Sequence, residues 1–212
     1  MIDHFDFEKI GDFDKHINLS IPNYSGLCDI FKAIIIENVN PHGHYIDLGC
    51  STGKFINSIP KLKNTIYTGV DEVDIREYKD FEFIQNNAID YIKTIKSADV
   101  ISVMFLLQFM GKHKRAELIK ELVRLNNNGA LVLISEKVYF DNSSLNQVLY
   151  REHQKQKRKG FLDKEILDKD YRLIGSMFCL SESGIDIELS EFNNYSSVWQ
   201  SYNFKGWAMF PR

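Results

Sequence analysis

The chain has 212 residues, 44% hydrophobic and 26% charged, with a formal net charge of −3. These are ordinary globular values that suit one domain with a sizeable core and give no electrostatic case for nucleic acid as the main ligand. Three separated cysteines, Cys28, Cys50 and Cys179, lack metal-ligand spacing; no metal is expected, and a reduced, cytoplasmic setting fits best. The opening Met1-Ile2-Asp3-His4 has no targeting pattern, and no stretch has the length and apolarity of a membrane span.

The predicted elements alternate. Ser25 reads as the N-cap of a helix that carries Leu27, Ile30, Phe31 and Ile34 on one face and closes at Pro41 and Gly43. A strand at 45–48, a helix over 54–62 and a strand at 65–70 follow; the 71–80 link has room for a turn or two of helix at most. Then come a strand at 81–84, a helix to about Lys96, a continuously apolar central strand at 99–104, a helix over 113–125, a stop at Asn126–Gly129 and a buried strand at 130–134. Strands alternating with helices imply a doubly wound parallel sheet. Residues 143–160 read as a polar helix with Leu145, Val148 and Leu149 inward, and its basic end, 151–159, as a solvated face. Residues 185–189 alternate like a strand but leave room for a helix. Residues 199–204 and 206–210 read as closing strands joined near Lys205-Gly206.

The chemistry is concentrated where the first strand ends. Asp47-Leu48-Gly49-Cys50-Ser51-Thr52-Gly53 is a strand-end acid and a two-glycine turn before a helical pattern, the place where open α/β sheets bind nucleotide-like ligands. Gly49 and Gly53 permit a sharp turn and close approach to a ligand. Cys50 and Ser51 stand where a dinucleotide fingerprint needs its second glycine, and Phe55 stands where a P-loop needs a magnesium-binding hydroxyl. Cys50 has no paired histidine and serves by being small. The D-x-G-x-x-x-G pattern resembles motif I of the Rossmann-like S-adenosylmethionine (SAM) enzymes. A second β-rich run ends on Asp71-Glu72, about 20 residues beyond the loop, where an acid accepts hydrogen bonds from ribose hydroxyls.

A narrower resemblance rests on Ser20-Ile21-Pro22-Asn23-Tyr24-Ser25, Leu107-Gln108-Phe109, Ser135-Glu136-Lys137 and Asn203-Phe204, in that order around the SAM loop. The chain resembles the carboxy-S-adenosyl-L-methionine (carboxy-SAM) synthases, from about Phe13 to Lys169 and again at the final strands. The fold this implies is α/β, a Rossmann-like class I methyltransferase fold whose mostly parallel sheet ends in an antiparallel strand pair. One SAM-binding domain, 1–212, would comprise an N-terminal helical lid (1–40), a nucleoside-binding core (41–140) and a helical insert with closing strands (141–212).

The resemblance further implies that SAM and prephenate give carboxy-SAM and phenylpyruvate, for tRNA wobble-uridine modification, without a metal or a nucleophilic side chain. Tyr24 would contact the ligand, Asp47, Gly49, Cys50, Ser51 and Gly53 would form its loop, and Asp71 with Glu72 would hold the ribose. Asn87 and Ala88 would sit by the adenine and Met104 at the end of the fourth strand. Arg172 would pair with the extra carboxylate of carboxy-SAM. A homodimer is implied; direct nucleic-acid binding is not expected. Three departures mark a divergent member: Met104 replaces an Asn, Leu19 replaces a basic residue, and the 71–80 link lacks a helix. A methyltransferase of unknown acceptor and a non-catalytic SAM-binding protein are the alternative readings.

Overall fold

The computed structural model describes residues 13–212, so the first twelve residues of the expected lid lie outside it. Among the described residues seven strands form one sheet: β1 (His44–Leu48), β2 (Ile66–Asp71), β3 (Glu82–Gln85), β4 (Val100–Met104), β5 (Leu131–Lys137), β6 (Tyr195–Ser201) and β7 (Phe204–Met209). Their order is β3-β2-β1-β4-β5-β7-β6. The first five pair in parallel, and β7 pairs antiparallel with both β5 and β6. The chain order of the strands reverses between β1 and β4, and a crevice opens beyond their C-terminal ends, as such a switch point requires.

The helices are α1 (Phe13–Ser20), α2 (Tyr24–Asn38), α3 (Lys54–Asn57), α4 (Ala88–Thr94), α5 (Lys112–Asn127), α6 (Ser143–Lys157), α7 (Asp163–Leu173) and α8 (Glu182–Leu189). Strand alternation sends Tyr45 and Tyr67 to one face, which packs on α2 and α3 through Leu27, Phe31, Ile35 and Ile56. Ile46, Leu48 and Val70 share the other face with Ile92, Leu118, Leu122 and Ile185 of α4, α5 and α8. Each such side chain taken fully out of water contributes about 1.5–3 kcal/mol, which fixes the sheet as the rigid base of the crevice.

Several sequence expectations are corrected. Helix α2 begins at Tyr24 after Asn23 in the left-handed region (φ 57°), so Ser25 lies inside it, and Ile35 is buried on its inner face. Helix α3 is a single turn rather than 54–62, because Pro60 has no N–H to donate and disfavours helical backbone at Ile59. Residues 185–189, open between strand and helix in the sequence, are helical. The β6–β7 turn is Tyr202-Asn203, not Lys205-Gly206. Gly206 lies within β7 for packing, since a Cβ there would come within 2.9 Å of Leu27 Cδ1. The largest correction concerns α6. Leu145 and Val148 are exposed, and its buried residues are His153, Gln154 and Lys157. The helix covers the crevice rather than the sheet, so its inner face is polar.

Candidate functional site

A cavity of about 1120 Å³ lies beyond the ends of β1, β2, β4 and β5, under α1, α2, α6 and α7. Its first half is the glycine loop. The N–H groups of Gly49 and Cys50 donate to Val70 O (2.8 and 3.1 Å), which locks the loop onto β2. Gly49 (φ 74°) and Ser51 (φ 52°) both adopt left-handed backbone. The Ser51 N–H donates to Asp71 Oδ2 (2.9 Å) and the Val73 N–H to Asp71 Oδ1 (3.2 Å), so Asp71 organises the loop while its remaining lone pairs face the cavity. Burial pushes the Asp71 carboxyl up, against the pull of the Ser51, Val73 and Glu72 N–H groups. The 71–80 link is irregular and wraps behind the loop, where the Glu77 and Tyr78 N–H groups donate to Thr52 O (3.0 and 3.2 Å).

Asp47 ends a buried polar chain. Ser102 Oγ donates to its Oδ1 (2.5 Å), and the Tyr45 hydroxyl lies 2.6 Å from Ser102 Oγ. Burial raises the Asp47 carboxyl to about 7, with Asp71 adding and the Ser102 hydrogen bond opposing. Burial likewise pushes the Cys50 thiol up, so it is no ready nucleophile.

The structure brings Tyr24, Asp47, Gly49, Cys50, Ser51, Asp71, Glu72, Asn87, Ala88 and Met104 together on this cavity. Two expected residues fall outside its lining. Gly53 instead starts α3 at φ 81°, where a Cβ would come within 2.4 Å of Phe81 Cζ; it serves the turn and the packing. Arg172 is exposed in the last turn of α7. A helix carrying Asp168, Tyr171 and Arg172 outward turns Lys169, Asp170 and Leu173 to the cavity. Asn87 is more committed than expected: its Oδ1 caps α4 by accepting from the Ile89 N–H (2.9 Å), and its Nδ2 donates to Glu72 Oε1 (2.5 Å).

Beyond these residues the cavity has an aromatic wall and a basic half. Phe105 follows β4 at φ 55°, rare for a bulky side chain, and is held there by its N–H donating to Ser135 O (2.8 Å). Its ring stands 6.2 Å from Tyr24 and 6.0 Å from Phe204, forming an aromatic wall. The second half of the cavity is basic: Lys137 of β5, Lys157 of α6 and Lys169 of α7 line it, with Asp170. Lys157 pairs with Asp170 Oδ1 (3.1 Å), which also accepts from Gln154 through Oδ2 (3.0 Å). Lys169 donates to His16 Nε2 and to Ser20 Oγ (2.8 Å), and His153 Nε2 donates to Ser20 O (2.8 Å). Burial and the neighbouring lysines push both histidines down to about 4, so they are neutral near pH 7. Burial, Lys157 and Lys137 push Lys169 down to about 7, with Asp170 opposing. Leu19, the departure from the family pattern, packs on Gly160, where a Cβ would come within 2.5 Å of it. Among the described residues no group of three or more His, Cys, Asp or Glu side chains has the arrangement of a metal site, and no helix is long and apolar enough to cross a membrane.

No family model matches the sequence. The chain is 29% identical to the carboxy-S-adenosyl-L-methionine synthase of Idiomarina loihiensis over 218 residues, covering 94% of this chain and 89% of that one. Against the synthase of Nautilia profundicola the identity is 29% over 179 residues, covering 78% and 75%. Against that of Helicobacter pylori it is 26% over 230 residues, covering 94% and 90%. Among solved structures, the plantazolicin methyltransferase BamL in complex with a triazolic desmethylPZN analog and SAH superimposes with a TM-score of 0.59 at 15% identity, covering 97% of this chain and 93% of that one. A putative O-methyltransferase from Nostoc punctiforme gives 0.61 at 11% identity, covering 87% and 56%. At those identities the structures speak for the fold alone.

The sheet order, the closing antiparallel pair and the loop at the switch point define a protein of the class I SAM-dependent methyltransferase fold. Within that class the chain is a divergent relative of the carboxy-SAM synthases, similar to them over most of its length.

Proposed function

We propose that this chain is a carboxy-SAM synthase-like enzyme, converting SAM and prephenate to carboxy-SAM and phenylpyruvate for use in tRNA wobble-uridine modification. The observation that carries the reading is the similarity to synthases along 94% of the chain, together with one cavity that joins a nucleoside end to a cationic end. The residues fit SAM. Ser51 Oγ is buried without a hydrogen-bond partner beside the loop, and Asp47 and Asp71 are two carboxylates placed for a ligand with an ammonium group and a ribose. Asp47 would take the α-ammonium, Asp71 the ribose hydroxyls, and Asn87 and Ala88 the adenine edge. When bound, SAM supplies a methyl group activated by its sulfonium.

The chain's own work is positioning and drying. Tyr24, Phe105 and Phe204 wall the centre of the cavity, and α1 with α2 closes over it as a lid, so the reacting groups are held together away from water. The homodimer and the cytoplasmic setting implied by the resemblance belong to the same reading. Mass spectrometry of ligand co-purified from cells, with turnover assays plus and minus prephenate, tests it. Carboxy-SAM and prephenate-dependent conversion are expected; SAM or its demethylated product alone, with indifference to prephenate, would refute it. Met104 in place of Asn favours a second reading, a methyltransferase of another acceptor, for which demethylated SAM would accumulate.

A pH dependence follows from Asp47. Its folded value, about 7, is raised above the ordinary 3.8, so the folded state holds a proton that the unfolded state has released between about pH 4 and 7. This contribution to apoprotein stability is therefore lost as pH rises through that window. SAM binding runs the other way, since an ammonium requires the ionised carboxylate. Affinity measured by calorimetry should rise by up to about tenfold per pH unit approaching 7 and level off above it. Asp47→Asn should bind more weakly and lose this limb. An unchanged pH profile in that variant would place the ammonium elsewhere.

A further inference from the structure

The basic half of the cavity has a feature that the nucleoside site does not use. Along β5, Glu136 faces Arg115, which donates to both its oxygens (2.7 Å each), and strand alternation turns the next residue, Lys137, to the cavity. The end of the strand is held there by Gln108, whose Oε1 accepts the Lys137 N–H (2.9 Å) and whose backbone carbonyl accepts the Phe178 N–H (2.6 Å). The Lys137 ammonium has no hydrogen bond or ion pair among the described residues. Asp170, the carboxylate of this half, is already engaged by Lys157 and Gln154. Withdrawing an ammonium from water costs several kcal/mol, and burial and Lys157 push Lys137 down, with Cys179 and Asp170 opposing. Lys169 and Lys157 bound the same space, and Phe105, Phe109, Met177 and Phe178 supply apolar walls. The lobe thus has the chemistry to hold an anionic group on an apolar skeleton, and it opens beyond the ends of β4 and β5, next to the glycine loop.

We propose that Lys137 is the specificity-determining residue for the second substrate, receiving its carboxylate in the lobe bounded by Lys157 and Lys169, and that Arg172 has no part in this recognition. The inference rests on the reading that the loop end of the cavity takes SAM and a second substrate shares the cavity. It reassigns the anion from an exposed arginine to a half-buried lysine. It also gives the Leu107-Gln108-Phe109 and Ser135-Glu136-Lys137 runs one joint task, since Gln108 positions the strand end that presents Lys137.

The test is calorimetry on the full chain saturated with SAM, using prephenate and, as a plain dicarboxylate, malonate. Lys137→Met, which keeps the apolar stem, should weaken carboxylate binding at least tenfold, and Lys137→Arg should restore most of it. SAM affinity should stay within about twofold in both, and Arg172→Met should behave as wild type. Should Lys137→Met fail to fold, thermal shifts of the wild-type SAM complex serve instead: phenylpyruvate should stabilise it and the methyl ester should not. Unchanged carboxylate affinity in Lys137→Met, equal loss of SAM and carboxylate, or no difference between acid and ester would overturn the assignment. Lysine-dependent carboxylate binding without prephenate turnover would uphold this site and refute the carboxyl-transfer reading.

Discussion

Replacing Arg115 by Met is expected to cost about 3–5 kcal/mol of stability, the largest effect of any substitution considered, although Arg115 does not line the cavity. Arg115 lies 5% exposed on α5 and Glu136 0% exposed on β5, joined by two parallel 2.7 Å hydrogen bonds. Arg115 Nε also donates to Glu188 Oε2 of α8 (2.8 Å), so one guanidinium ties a central strand to two helices. Removing it leaves the Glu136 carboxylate buried with no countercharge. Domains of this kind are stable by only about 5–15 kcal/mol, and each kcal/mol moves Tm by about 2–4 °C at this size. A fall of roughly 6–20 °C in thermal unfolding is expected. The double variant Arg115→Met, Glu136→Met should recover a large part of it, because the fully buried Glu136 charge is then gone and only the half-buried Glu188 is left without its partner. A single variant within about 1 kcal/mol of wild type would show that the pair is solvated in solution.

The parts of this molecule that were legible in sequence are those in which local chemistry and local geometry coincide. A β-branched run ending on Asp47 and a two-glycine turn specify a strand, a tight loop and a helix start without help from elsewhere. Asp71 follows at the separation that a crossover imposes. The continuously apolar strands β4 and β5 announced a sheet buried on both faces. What was missed depends on tertiary neighbours. Helix α6 reverses the usual rule that the apolar stripe faces inward, because it roofs the basic half of the cavity, and Leu145 and Val148 are exposed. The lysine lobe is assembled from β5, α6 and α7, with Lys137 and Lys169 separated by more than thirty positions of chain, and no spacing rule joins them. Gly206 carries the residue type of a turn but is required by Leu27 of α2, which a one-dimensional reading does not contain. Arg172 follows from the resemblance, and a guanidinium suits a carboxylate; the rotation of α7 leaves it exposed and turns Lys169 and Asp170 to the cavity.

Asp71→Ala is expected to weaken SAM binding by about 2–4 kcal/mol, the scale of two lost hydrogen bonds to a charged group. The structure adds a second route to the same loss. Asp71 accepts the Ser51 and Val73 N–H groups, and Ser51 stands at φ 52°, a conformation that needs such support. Alanine therefore removes the ribose acceptors and also loosens the loop that surrounds the ligand. Asp71→Asn separates the two contributions, because it keeps one acceptor for the loop while giving up the charge. Its affinity should fall between those of wild type and Asp71→Ala. The fold should survive in both, since Gly49 and Cys50 remain bonded to Val70 and the strand cores are untouched. Calorimetry with SAM, beside a thermal melt of the apoprotein, reads both quantities. Wild-type affinity in Asp71→Ala would mean that the ribose lies elsewhere. Equal affinities for the two variants would mean that the loss comes from the missing charge at the ribose and that the loop does not depend on Asp71.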